Sequence, residues 1–226
     1  MSKDIRTKAY VLRRTNYGES DRILNLLTES GYISAIAKGV RKEKSKLAGG
    51  IELFCLSDLT LHEGKNNSLY TLTSSRMLEY YDKIPIDLKK LELASVVLKN
   101  ISRVAESSDG SVYFDLVRQT LRAINIGIDL NLIELWFWFN FAKASGEEIN
   151  LIRDVSGLPL AKDITYVWDV KEKSLRPQMG GFIGEDEIKL MRFLLSSRLN
   201  TVSRLEKYEH LLPPALFIAK SVNGVK

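Results

Sequence analysis

The sequence predicts an α+β protein in which a small β-barrel precedes a helical domain. Three observations carry that expectation. From Ile5 to about Tyr81, short β-type runs alternate with turn residues. After Ile84-Pro85 the apolar period lengthens from two to about 3.6. Finally, 45% hydrophobic and 27% charged residues over 226 positions suit ordinary globular cores, one large or two modest.

Five strands are expected in the first part. Ile5 to Arg13 comes first, the Asn16-Tyr17-Gly18 turn follows, and Arg22 to Thr28 is the second run. Gly31 introduces the third, Tyr32 to Lys38. The fourth, Leu53 to His62, ends in alternation, with Leu59 and Leu61 on one face and Asp58, Thr60 and His62 on the other, the mark of a half-buried strand. A Gly64-Lys65-Asn66-Asn67 turn leads to Leu69 to Tyr80, long enough to bend and serve two sides of a barrel. Five short strands closing on themselves imply an OB-type barrel over residues 1 to 82.

The helical domain is expected over residues 83 to 226. Leu88, Leu91, Ala94, Leu98, Ile101 and Ala105 share one helical face. Ser107-Ser108-Asp109-Gly110 breaks that helix before a second, carrying Tyr113, Val117, Leu121 and Ile124. Leu130 to Ala144, LNLIELWFWFNFAKA, is too short to span a membrane and is interrupted by Asn131, Glu134 and Asn140, so it reads as a buried third helix of a bundle. A small β insertion is expected at about 160–184, because Ile164 to Trp168 is β-prone and Lys171 to Ser174 reads as a turn. Glu185, Asp186 and Glu187 then suit a helix N-terminus. A last helix from near Thr201 should end before Pro213-Pro214.

Composition also narrows function. Cys55 is the only cysteine, which removes a disulfide framework and any thiolate zinc cluster and fits a reducing compartment. MSKDIRTKAY lacks a following signal-type apolar run, and no 18-residue apolar stretch occurs, so a cytoplasmic protein without a membrane span is expected. The two histidines, His62 and His210, stand in no metal spacing and beside no nucleophile motif. Glu19 and Asp21 read as turn acids, with Arg22 an ion-pair partner, rather than as paired catalytic carboxylates. Neither a Walker lysine motif nor GxGxxG is present. No enzyme is implied.

The sharpest feature is AKGVRKEKSKLAGG, Ala37 to Gly50, with Lys38, Arg41, Lys42, Lys44 and Lys46 against the single acid Glu43. A charge run is most often a solvated loop. Projecting from the edge of a barrel, a mobile basic loop can instead follow a phosphate backbone and release its counterions. The net charge of +5 suits such an anionic partner. Tyr17 and Tyr70, each near a turn, are candidates for stacking on bases, although aromatics at such places more often serve the core.

VLRRTNYGESDRILNLLTESGYISAIAKGVRKEKSKLAGGIELFCLSDLTL, Val11 to Leu61, resembles the RecO family signature: a strand, a Gly-Glu-x-Asp turn, a strand, and an Ala-Lys-Gly basic loop. The likeness extends more loosely through ELWFWFNFAKASGEEINL, Glu134 to Leu151, and the GGF at Gly180 to Phe182. It implies a mediator that binds single- and double-stranded DNA, anneals complementary strands, joins RecR, and helps load RecA onto DNA coated by single-strand-binding protein. Nucleotide hydrolysis is not implied. The family's basic loop maps to Lys38, Arg41, Lys42, Lys44 and Lys46, with Gly39 and Gly49 giving backbone freedom. Arg13, Arg14 and Arg22 become secondary phosphate contacts.

The chain departs from the family pattern twice. Many relatives hold zinc with two Cys-x-x-Cys pairs, whose positions here are Arg153 with Ser156 and Gly184 with Glu187. The insertion is therefore expected to be a degenerate, metal-free zinc-ribbon-like element packed around Trp168 and Phe182. Relatives also carry basic residues before the glutamate matching Glu134, where this chain has Asn131-Leu132-Ile133. The resemblance accordingly does not carry over a dock for the acidic tail of single-strand-binding protein. The rival readings are a protein-binding adaptor whose basic loop is only solubilising, which salt-sensitive DNA binding would exclude, and an OB-fold nuclease, which would show Mg²⁺-dependent cleavage.

Overall fold

The computed structural model describes residues 4–64, 69–106, 109–147 and 149–224. Lys65 to Asn67 of the expected turn, and the expected Ser107-Ser108 break, lie outside them.

Five strands form the first part: β1 (Asp4–Tyr17), β2 (Asp21–Thr28), β3 (Gly31–Ala37), β4 (Cys55–His62) and β5 (Tyr70–Tyr80). They close in the order β1-β2-β3-β5-β4, with β1 and β4 antiparallel and a short parallel pairing of Ala35 with Tyr70 and Ile36 with Thr71. This is an OB-type barrel, and the fold class is α+β. Closure leaves the backbone groups of the strands few free edges. The first strand runs four residues beyond its expected end at Arg13. An irregularity between Val11 and Arg13 bends it, so that Asp4 to Tyr10 pair with β4 while Ala9 to Tyr17 pair with β2. Register follows burial: Val11 lies opposite Leu26, and both fill the interior together with Leu24, Leu59, Leu61 and Leu72.

On the barrel's outer wall, Asp58 of β4 receives Arg6 from β1, at 3.0 Å from Nε to Oδ1, and Arg76 from β5, at 3.2 Å. The Arg6 hydrogen bond, ahead of opposing desolvation, holds the Asp58 carboxyl below the usual carboxylate range. A depressed native pKa adds stability that is present above the ordinary carboxylate pKa and is lost as pH falls through the native value. Asp58→Asn should therefore lower the thermal midpoint, followed by far-ultraviolet circular dichroism, at about pH 7 and leave it nearly unchanged at about pH 2. An equal loss at both pH values would show that Asp58 acts by packing rather than by charge.

Two helices follow, α1 (Leu88–Ala105) and α2 (Val112–Ile126). Asp87 caps α1 by accepting from the backbone N–H groups of Lys89 and Lys90. Both helices pack with the barrel, and the Tyr10 ring lies 5.2 Å from that of Phe114 in α2. The first compact unit accordingly runs Met1–Asn125, past the 82/83 position where strand pattern gives way to helix pattern. The outward side of β1 offers apolar Tyr10 and Leu12, both buried, and helices must cover them.

The second unit, Ile126–Lys226, is built around α3 (Leu130–Ala144), so the three expected bundle helices divide between two units. Leu132, Ile133, Leu135, Trp136, Phe137, Trp138, Phe139, Phe141 and Ala142 are all buried, which makes α3 apolar nearly all round and central. Packed on it are α4 (Glu185–Ser196) and α6 (Leu212–Val222), and the insertion is a hairpin of β6 (Tyr166–Asp169) and β7 (Ser174–Pro177). The last helix differs from expectation. Only α5 (Leu199–Val202) forms near Thr201, and Pro213 and Pro214 lie in the first turn of α6 instead of ending a helix. First-turn N–H groups have no intrahelical acceptor, so proline there forfeits nothing.

Candidate nucleic-acid interface

The basic segment joins β3 to a short 3₁₀ turn, Ala48–Ile51. Its ends are anchored inside the barrel, where Val40 and Ile51 belong to the buried core and Leu47 and Ala48 pack against it. Between these plugs the backbone is tied down. The Gly39 N–H donates to Asp21 Oδ1 at 2.7 Å, the Arg41 N–H to the Ser20 carbonyl at 2.8 Å, and Ser75 Oγ to the Leu47 carbonyl at 2.9 Å. Gly39 holds a left-handed φ of 63°. The second glycine that the geometry demands is Gly50, not Gly49: a Cβ on Gly50 would meet the Ser75 Cβ at 2.5 Å. Hence both ends of the segment, Gly39 to Arg41 and Leu47 to Ile51, are tied to the barrel, and the stretch between them forms a ridge on it.

Lys38, Arg41, Lys42, Lys44 and Lys46 all remain exposed on this ridge. Arg41 reaches the Gly18 carbonyl at 3.3 Å, and no ion pair to the five is found among the described residues. Five exposed cations within nine residues thus have no ion-pair partner among the described residues, and Arg41 sets the start of the segment beside the β1–β2 turn.

The secondary candidates separate. Arg13 is exposed and faces Asn25 across the hairpin. Arg14 is largely covered and paired with Glu52 at 2.7 Å, so its charge is already answered. Arg22 donates to the Asn16 side chain at 3.2 Å and forms no ion pair with Asp21, whose carboxylate is used by Gly39 and Ser20. Tyr17 is 56% exposed at the strand end. Tyr70 packs half-buried against the barrel core, which leaves little of its ring for a base. Sequence reasoning named Asp21 as a turn acid beside Arg22 but missed that it holds Gly39. A turn acid whose partner lies 18 positions away has no local signal.

The groups with chemical potential are engaged structurally. Burial pushes the Cys55 thiol up, and burial likewise raises the Tyr81 phenol to about 12, beside Tyr10 at 3.2 Å. His62 pairs with Asp4 at 2.6 Å. In the second unit, Arg153 donates to the Gly157 carbonyl, Asp154 accepts from the N–H groups of Ser156 and Leu158, and the Gly184 N–H donates to Glu187 Oε2 at 2.8 Å. Arg153, Ser156, Gly184 and Glu187, the positions that the resemblance sets against zinc ligands, are therefore tied into turns and a helix start. Trp168 is buried and donates to Ser221 Oγ, as a packed insertion requires, whereas Phe182 is half exposed and meets Phe217 edge-on. Tyr166, Leu175 and Ile183 provide the packing expected of Phe182. Glu134 is bound to Lys220 at 2.7 Å and accepts from the Trp138 indole. No helix among the described residues is long and apolar enough to cross a membrane.

Comparison with known proteins agrees with this architecture. The family described as "Recombination protein O N terminal" matches residues 1–81, the barrel. The DNA repair protein RecO of Dehalococcoides mccartyi (strain CBDB1) is 29% identical over 218 residues, 92% of this chain and 85% of that protein. That of Heliobacterium modesticaldum is 33% identical over 79% of this chain and 64% of its own length. That of Roseiflexus sp. (strain RS-1) reaches 38% over 56% of this chain and 45% of its own. With its barrel matched by the family and most of its length matched by full relatives, the chain belongs to the RecO family.

Proposed function

We propose that the chain acts in the cytoplasm in DNA repair and recombination as a DNA-binding mediator. It anneals complementary strands and, with RecR, promotes RecA loading on DNA coated by single-strand-binding protein. The observation that supports this reading is the ridge of Lys38, Arg41, Lys42, Lys44 and Lys46, five exposed cations held on an OB-type barrel of a RecO family chain. Their role is to neutralise phosphates on either single- or double-stranded DNA, with Arg13 and Arg22 as secondary contacts and Tyr17 available to stack. Arg14 contributes less because Glu52 holds it. No catalytic step is part of this reading, since binding two strands and masking their repulsion is what annealing requires.

A strand-annealing assay tests it. Two complementary labelled oligonucleotides should pair faster with the protein, and the Lys38, Arg41, Lys42, Lys44 quadruple Ala variant should lose about tenfold or more of that acceleration at moderate salt. Equal acceleration by the variant would overturn the assignment of the ridge, and no acceleration by either protein would overturn annealing.

A further inference from the structure

Within the first unit, a cleft of about 780 Å³ opens between the outer barrel wall and α1. Its floor is apolar, formed by Leu12, Phe54 and Leu98. Arg13 stands on the barrel side, and Lys99 and Arg103 stand on the helix side. Lys99 and Arg103 are four residues apart, hence neighbours on one helix face, where like charges repel and cost helix stability. Both are exposed, and no ion pair joins either of them to Glu106, the one acid among the cleft's described lining residues. Phe54 adds a second sign of a built site: its φ of 58° is left-handed, a conformation that a bulky residue adopts only under constraint. The Tyr81 N–H, donating to the Phe54 carbonyl at 3.1 Å, helps hold it there.

The cleft is continuous with the basic ridge. Arg13, Thr15 and Tyr17 are all exposed and alternate along one side of β1, leading from the cleft to the β1–β2 turn where Arg41 reaches the Gly18 carbonyl. Four residues of strand cover about 13 Å, roughly the rise of four stacked nucleotides.

Resting on the DNA-binding reading above, we propose that this cleft is a second contact for the same single strand. Arg13, Lys99 and Arg103 take phosphates, and one unstacked base enters over the apolar floor. An apolar floor inside a cationic rim matches a nucleotide, which has an uncharged planar base on an anionic backbone. Lys99 and Arg103 become DNA-binding residues under this assignment.

The test uses the full chain and a single-stranded oligonucleotide carrying 2-aminopurine, whose fluorescence rises on unstacking, with circular dichroism to verify folding. Wild type should bind and raise the fluorescence. Lys99→Glu with Arg103→Glu should weaken binding about tenfold and abolish the rise. Ser95→Trp, an exposed position at the cleft that leaves all three cations in place, should keep affinity within about twofold and still abolish the rise, because the phosphate contacts that dominate affinity are retained. If both variants keep the wild-type rise while the ridge variant loses affinity, the cleft lies off the DNA path and the inference falls with the DNA reading intact. If wild type itself fails to bind, the DNA reading falls. If the cleft variants bind the oligonucleotide normally but lose binding to a labelled peptide of aspartate and phenylalanine that wild type retains, the cleft is a peptide site and the inference is overturned.

Discussion

Phe137→Ala is expected to lower the stability of the second unit by about 3 to 5 kcal/mol, the range for deleting a large aromatic from a tight core. Phe137 has no solvent exposure, lies 5.1 Å from the Trp138 ring and 5.5 Å from that of Phe141, and sits mid-helix on α3, against which α4 and α6 pack. Collapse around the cavity is hindered because the neighbours are fixed by polar ties. The Trp136 indole donates to the Ser197 carbonyl at 2.9 Å, and the Asn223 amide donates to the Trp138 carbonyl at 2.9 Å. The measurement is simplified by the placement of Trp136, Trp138 and Trp168, the chain's three tryptophans, all in this unit, so that tryptophan fluorescence in urea reports its unfolding separately from the barrel. Phe217→Ala, at a half-exposed position, should change the midpoint little. If Phe137→Ala left the midpoint where it was, α3 would have to be a surface for a partner and not the centre of a core.

Such elements were legible in the sequence because their signal is local. The Leu59 and Leu61 alternation marks the inner face of β4, and the aromatic run of α3 is too apolar to be anything but covered. What escaped depends on contacts far apart in sequence. Nothing near Asp21 announces that its carboxylate holds Gly39, nor does the charge of Lys38 to Lys46 reveal that Val40 is a core residue. The strand-to-helix change after Ile84-Pro85 was plain, yet packing assigns α1 and α2 to the barrel, because a periodic apolar face does not say what it will cover. Pro213-Pro214 carried an ambiguity of another kind, since proline both ends helices and begins them. At the candidate site, residue type picked out the cations but not their freedom. Arg14 and Arg13 are adjacent in sequence, and only the fold shows that Glu52 holds one and leaves the other exposed.

Replacing Lys38, Arg41, Lys42 and Lys44 together by Ala should reduce the salt dependence of DNA binding by an amount fixed by the number of phosphates released. Each phosphate contact on a single strand contributes about −0.7 to the slope of log affinity against log salt, so four contacts give about −3, and the quadruple variant should be flatter by about that much. Pinning strengthens the expectation. A ridge held by Gly39 to Asp21, by Arg41 to Ser20 and by the Val40 plug presents its charges without first having to order the backbone that carries them. The same anchoring makes the variant a clean one: all four side chains are exposed, while Gly39, Val40 and Asp21, which hold the ridge, are untouched. Because backbone contacts read no bases, affinity should fall uniformly across oligonucleotide sequences. The measurement is a salt titration of both proteins on a fluorescent single strand, after circular dichroism has shown both folded. Equal slopes and equal affinities would mean that the ridge is only a solvated surface, and the path of the DNA would then have to run through Arg13 and Arg22 on the hairpin.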